Sequence, residues 1–101
     1  MSELLVESKF EMPVDRAAVA ADWRARGYSC HGFVDPPGRA WNDFVHTVDE
    51  VVTVLDGELE LLVGDQRLLL GPGDEAFIPR GVRHSVRNID AGTTRWLFGY
   101  N

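Results

Sequence analysis

At 101 residues, 45% hydrophobic and 26% charged, the chain can bury one core but not two, and its composition argues against wholesale disorder. A formal net charge of −6 leaves no basic excess to neutralise phosphates, so nucleic acid is not an expected partner. The single cysteine, Cys30, rules out an intrachain disulfide and fits a reducing compartment.

The first residues, MSELLVESK, carry acids where a secretion signal carries bases. No run approaches the roughly 18 apolar residues of a membrane span. The expected location is cytoplasmic, with no membrane contact. Pro13-Val14-Asp15 opens an alanine-rich stretch, Arg16 to Arg26, that predicts a helix with Asp15 as N-cap and Gly27 as its stop. Val19 and Trp23 share one side of it and are expected to pack on the outside of a β body. Tyr28 to Val34 reads as a strand, and Asp35-Pro36-Pro37-Gly38 as a turn or loop. Val51 to Leu55 and Glu58 to Val63 flank Asp56-Gly57, which predicts a tight hairpin. Gly64-Asp65 makes the next turn, Leu68 to Leu70 the next strand, and Gly71-Pro72-Gly73-Asp74 a reversal. Ala76 to Ile78, Val82 to Arg87 and Arg95 to Tyr100 follow. Strands this short and this regularly punctuated predict an all-β sandwich or barrel. Residues 1–34 supply the helix and first strand of the same domain as the body, residues 35–101.

Near the end of the chain the spacing is Gly73-x5-Pro79-x-Gly81-x2-His84-x3-Asn88. Upstream, Gly38, His46, Glu50 and Gly57 fit a partner pattern, Gly-x5-His-x-His-x3-Glu-x6-Gly, with Phe44 at the first histidine position. Strand alternation puts Phe44 and His46 on one face, and His84, Val86 and Asn88 on another. Two imidazoles and a carboxylate suit a divalent transition metal.

These two blocks resemble the paired motifs of the cupin superfamily over roughly half the chain, from Gly38 to Asn88. The resemblance implies a double-stranded β-helix, or jelly-roll barrel, with a short N-terminal helix. Both segments would line its interior, and His46, Glu50 and His84 would hold a divalent metal such as Fe, Zn, Ni or Mn. Cupins typically use three histidines and a glutamate, so one ligand is replaced by Phe44. Either a three-ligand site persists with the phenyl ring shielding one side, or metal binding is lost and an apolar pocket with a polar floor remains, or another side chain supplies the fourth bond. Asp43 faces away by alternation. Cys30 is the better substitute, set against its reading as a small buried hydrophobe. His31 should face the opposite way.

Other conspicuous residues have structural readings. Trp96, Phe98 and Tyr100 share a face of the last strand, as core or dimer interface; Trp41 and Tyr28 either line the barrel mouth or pack in the core. Arg80, Arg83 and Arg87 form a solvated rim, with an anionic ligand as the alternative. No Ser-His-Asp or Cys-His nucleophile pattern, phosphate-binding glycine loop or paired cysteines for structural zinc occur, and no catalytic residue stands out. The expected function is metal-dependent chemistry on a small polar organic molecule. The alternatives are a non-catalytic small-molecule or sugar-binding sensor, and a stability-only homolog acting through its dimer surface. A homodimer is expected from the cupin resemblance and from the aromatic last strand.

Overall fold

Short β-prone runs broken by glycine and proline fold into two antiparallel sheets. In the computed structural model, residues 5–101 are described; residues 1–4, the start of the acidic N-terminal stretch, lie outside them. The elements are β1 (Val6–Ser8), α1 (Arg16–Ala25), β2 (His31–Asp35), β3 (Ala40–Phe44), β4 (Glu50–Asp56), β5 (Leu59–Val63), β6 (Gln66–Leu70), β7 (Asp74–Ile78), β8 (His84–Asn88) and β9 (Thr94–Tyr100). One sheet has the order β1-β7-β4-β9-β2, the other β3-β8-β5-β6. Between them lies an apolar core that includes Val52, Val54, Leu59, Leu61, Ile78 and Trp96. This is the expected jelly-roll barrel with one short helix.

Two local expectations are corrected. A strand, β1, precedes the helix, and its residues Val6–Ser8 pair with β7. Asp56-Gly57 does not close a hairpin. It carries the chain from β4 in the first sheet to β5 in the second. Gly57 is required there because its φ is 95° and because a β-carbon would collide with the Thr94 hydroxyl. That hydroxyl accepts the Glu58 N–H and donates to the Glu58 carbonyl, so the turn is shaped for a close crossing between layers. The two-residue hairpin is instead Gly64-Asp65, where Val63 faces Gln66. Finally, β9 lies between β4 and β2 and has no free backbone edge. The outer strands are β1, β2, β3 and β6.

The helix docks as its spacing predicts. Asp15 accepts the Ala17 N–H at 3.0 Å as N-cap. Val19 and Trp23 are fully buried against Val51, Leu55 and Leu97, on the outer face of the five-stranded sheet. Gly99 makes this approach possible, since a β-carbon would meet the Ser29 carbonyl oxygen and the Trp23 ring. The Trp23 indole N–H donates at 2.6 Å to Glu75, a buried carboxylate that also pairs with Arg26. A buried charge left short of a partner is costly, so this contact ties helix orientation to β7. Trp23→Ala is expected to destabilise the fold by about 3–5 kcal/mol. Trp23→Phe keeps most of the ring but removes a donor from Glu75, and should cost about 1–3 kcal/mol. Urea unfolding of the three proteins checks both values.

Candidate metal centre

Three strands deliver the polar residues to one place. β4 opens with Glu50, whose side chain points between the sheets with Val52 and Val54, while Val51 and Leu55 point toward the helix. β8 opens with His84, and burial alternates along it so that His84, Val86 and Asn88 all face inward. β3 is irregular. Trp41 is opposite Val86 and Phe44 opposite His84, so Asn42 and Asp43 together face the single residue Ser85. Asp43 takes a left-handed φ of 61°, and its N–H is accepted by the Ser85 hydroxyl. This bulge re-phases the strand and lets Trp41 and Phe44, three residues apart, share the inner face. His46 follows β3 in a loop anchored at both ends of its approach: its carbonyl accepts the Gly81 N–H at 2.8 Å, and Asp49 accepts the Arg80 N–H at 2.8 Å.

His46, Glu50 and His84 come together as a group whose potential ligand atoms all lie within 4.8 Å of one another. Glu50 Oε1 is 3.5 Å from His46 Nε2 and 3.4 Å from His84 Nε2. Two donors at about 2.0–2.2 Å from one ion, at a tetrahedral angle, lie about 3.3–3.6 Å apart, so the carboxylate is spaced to share an ion with either imidazole. Glu50 is 4% exposed and its Oε1 has no hydrogen-bond partner. Among the described residues it is the one buried side-chain polar atom in that condition. His84 Nδ1 lies 3.1 Å from the Val82 carbonyl oxygen. When Nδ1–H donates there, Nε2 is left as the free lone pair facing Glu50. Burial lowers the His84 pKa, but the Glu50 carboxylate and the Val82 carbonyl outweigh it and hold the imidazole above its ordinary 6.5.

Above the group opens a cavity of about 170 Å³. Phe44 sits at its edge, 37% exposed, with its ring 6.0 Å from that of His46 and 6.1 Å from that of His84. Apart from Val86, the rest of the wall is aromatic, from Trp41 and Phe33 through Trp96 and Phe98 to Tyr100. Burial, and then the nearby Glu50 charge, raise the pKa of Tyr100. The last-strand stripe lines the cavity, and its Trp96 is at the same time part of the core. Trp41 lines the cavity, whereas Tyr28 packs beneath the helix.

Cys30 is not part of the group. It packs with Val19 and Trp23 on the far side of the sheet, and burial pushes its thiol pKa up, which disfavours the thiolate a ligand needs. Its neighbour His31 does face the other way, with its ring 5.4 Å from Phe98. Arg80, Arg83 and Arg87 do not converge on an anion site: they pair separately with Asp49, Asp43 and Glu60. The buried carboxylate behind the cavity wall escaped the sequence reading. Asp35, in what reads as a loop of prolines, ends β2 and is 1% exposed. It accepts the indole N–H groups of both Trp41, at 3.2 Å, and Trp96, at 3.0 Å.

A profile of the cupin domain matches residues 33–100. The chain belongs to the cupin family. Solved structures similar to this cupin include a superfamily member from Desulfitobacterium hafniense, with TM-score 0.66 and 20% identity over 72% of this chain and 65% of that one. A protein from Thermus thermophilus gives TM-score 0.65 and 26% identity over 88% of this chain and 97% of the other. Oxalate oxidase in complex with the substrate analogue glycolate gives TM-score 0.68 and 21% identity over 75% of this chain and 42% of that one. This cupin thus spans under two thirds of several of the chains it resembles. No curated protein sequence matches it.

In the metal-free cupin, His84 is expected to titrate above 6.5. Because its folded pKa is raised, the stability it contributes is fully present below the unfolded value and is lost as pH rises through the folded one. NMR titration of the imidazole carbons measures the midpoint. Glu50→Gln should lower it, since burial remains while the opposing charge is gone; an unchanged midpoint would remove the carboxylate as the cause.

Proposed function

We propose that this protein is a metal-dependent cupin acting on a small organic molecule inside the barrel, with His46, Glu50 and His84 as the metal ligands. The observation that carries the reading is Glu50 Oε1, buried and unpartnered between two imidazole nitrogens at the floor of an open cavity. Buried polar atoms are otherwise satisfied, and a divalent cation satisfies this one without any rearrangement of the strands. When bound, the ion supplies Lewis acidity or, if redox-active, an oxygen-activating centre. The chain's own residues do the rest. The Val82 carbonyl orients His84, the aromatic wall limits access of water, and the cavity mouth admits the ligand. The wall changes the expected ligand: its polar part belongs at the metal end, and its body is apolar or flat. Oxalate oxidase binds glycolate as a substrate analogue. Here, among the described residues, no lysine or arginine lines the cavity to meet a second carboxylate.

A binding module without catalysis is the second reading, and it is favoured by Phe44 at the place of a fourth ligand. A small ligand that binds metal-free and metal-loaded protein equally well would support it.

Elemental analysis after incubation with iron, zinc, nickel or manganese is expected to find about one ion per chain. Loss of an outer-sphere partner alone weakens metal sites by about 10–100-fold, so His84→Ala, which deletes a ligand, should weaken binding by about a hundredfold or more. Absence of stoichiometric metal under all four conditions overturns the assignment.

The Phe44 ring is nearly equidistant from the two imidazole rings. Phe44→His should therefore add a donor and tighten metal binding about tenfold or more, equivalent to about 1.4 kcal/mol. A competitive chelator titration that gives equal affinities would show that position 44 does not aim at the ion.

A further inference from the structure

The end of the cavity away from the histidines is a collar of rings in mutual contact. Phe33 lies 5.2 Å from Trp41 and 5.8 Å, edge-on, from Trp96, and Trp96 lies 5.4 Å from Phe98. Rings that only filled a core would be covered, yet Phe33 is 37% exposed and lines an open cavity. What these rings offer a ligand is set by Asp35. Its buried carboxylate takes the N–H of both indoles. The strongest hydrogen-bond donor of each indole is thereby taken, so neither offers its N–H to a ligand.

The charges point the same way. Two buried carboxylates, Asp35 and Glu50, lie at or behind the wall. Among the described residues no lysine or arginine lines the cavity. Arg39, an exposed residue outside the lining, places its guanidinium carbon 4.3 Å from the Trp41 ring centre. Trp41 is thus already a ring against which a cation rests.

We propose that this aromatic collar takes an organic cation, a quaternary or alkylated ammonium group carried by the cavity's ligand. Such a group is attracted by ring faces and has too diffuse a charge to demand hydrogen bonds. The cavity, about 170 Å³, suits a group of this size, since ~150 Å³ holds a benzene. The inference rests on the reading of this cavity as a ligand site, and gives that ligand's class; it does not require the metal.

The test compares choline with its uncharged isostere 3,3-dimethyl-1-butanol, by calorimetry and tryptophan fluorescence, on metal-free and zinc-loaded protein. Choline should bind roughly tenfold or more tighter than the isostere. Phe33→Leu, at an exposed position, and Trp41→Leu, at a half-buried one, should abolish that preference while circular dichroism shows the fold intact. The preference should hold on metal-free protein as well as on zinc-loaded protein, so failure of the metal assignment and failure of the cation collar read out separately. Equal or reversed preference for the isostere overturns the proposal in favour of a plain apolar slot. Absence of saturable choline binding at millimolar concentration overturns it as well.

Discussion

The burial of β4 on both faces is the constraint on which the rest of the molecule depends. Six consecutive residues, Glu50 to Leu55, are buried, and β7 and β9 pair with the strand on either side. Because side chains alternate, one set of residues must meet the opposite sheet and the other must meet the helix. Val51 and Leu55 go under Val19 and Trp23; Val52 and Val54 go into the barrel. Glu50 belongs to the inward set. A slip of one residue would put the carboxylate under the helix and both sets of valines on the wrong side. The same hydrophobic pattern that specifies the core therefore specifies the position of the charged group in the cavity.

What could be read from the sequence follows from this regularity. His84 and Glu50 each open a strand of plain alternation, and turn residues such as Gly81 and Pro79 mark where those strands start. The helix was legible from Asp15, Val19 and Trp23 because capping and helical spacing are local. The misreadings come from non-local causes. Asp56-Gly57 has the composition of a hairpin, but whether the next strand pairs with the last or crosses to another layer is decided by Thr94, far along the chain. β1 is three residues long and exists through its pairing with β7. Asp35 reads as a turn former beside two prolines, and only the fold brings Trp41 and Trp96 to its oxygens. The stripe Trp96, Phe98, Tyr100 was visible as a stripe, yet alternation alone does not say whether the shared face meets a partner or a cavity.

The β3 bulge shows how an irregularity can serve a site. In an unbroken strand Trp41 and Phe44 would lie on opposite faces. With Asn42 and Asp43 both opposite Ser85, they share the inner one. The cost is a non-glycine residue at φ 61°, and the left-handed region is one that aspartate tolerates better than most. In return the cavity has an aromatic edge on both sides of the histidines. Such a wall lowers the local dielectric and strengthens every electrostatic contact inside, including the attraction of Glu50 for whatever cation it meets. Phe44 thus changes the site in a way that a simple missing ligand does not.

Two buried carboxylates, Glu50 in the cavity lining and Asp35 behind it, are in opposite conditions, and the contrast assigns their roles. Asp35 is saturated by neutral donors, with two indoles held in place and no oxygen left idle toward the ligand space. Glu50 presents an oxygen with no hydrogen-bond partner, flanked by two imidazole nitrogens at 3.4 and 3.5 Å. Leaving such an atom unsatisfied costs about 1–3 kcal/mol or more for a charged group, and nothing in the packing of β4 compels it: a leucine there would extend the apolar inward row of Val52 and Val54. A scaffold that clamps the strand from both sides can hold an unfavourable group in a fixed position, which a looser one would let relax. Asp35 is therefore best understood as part of the wall, and Glu50 as the part of the wall made to be used.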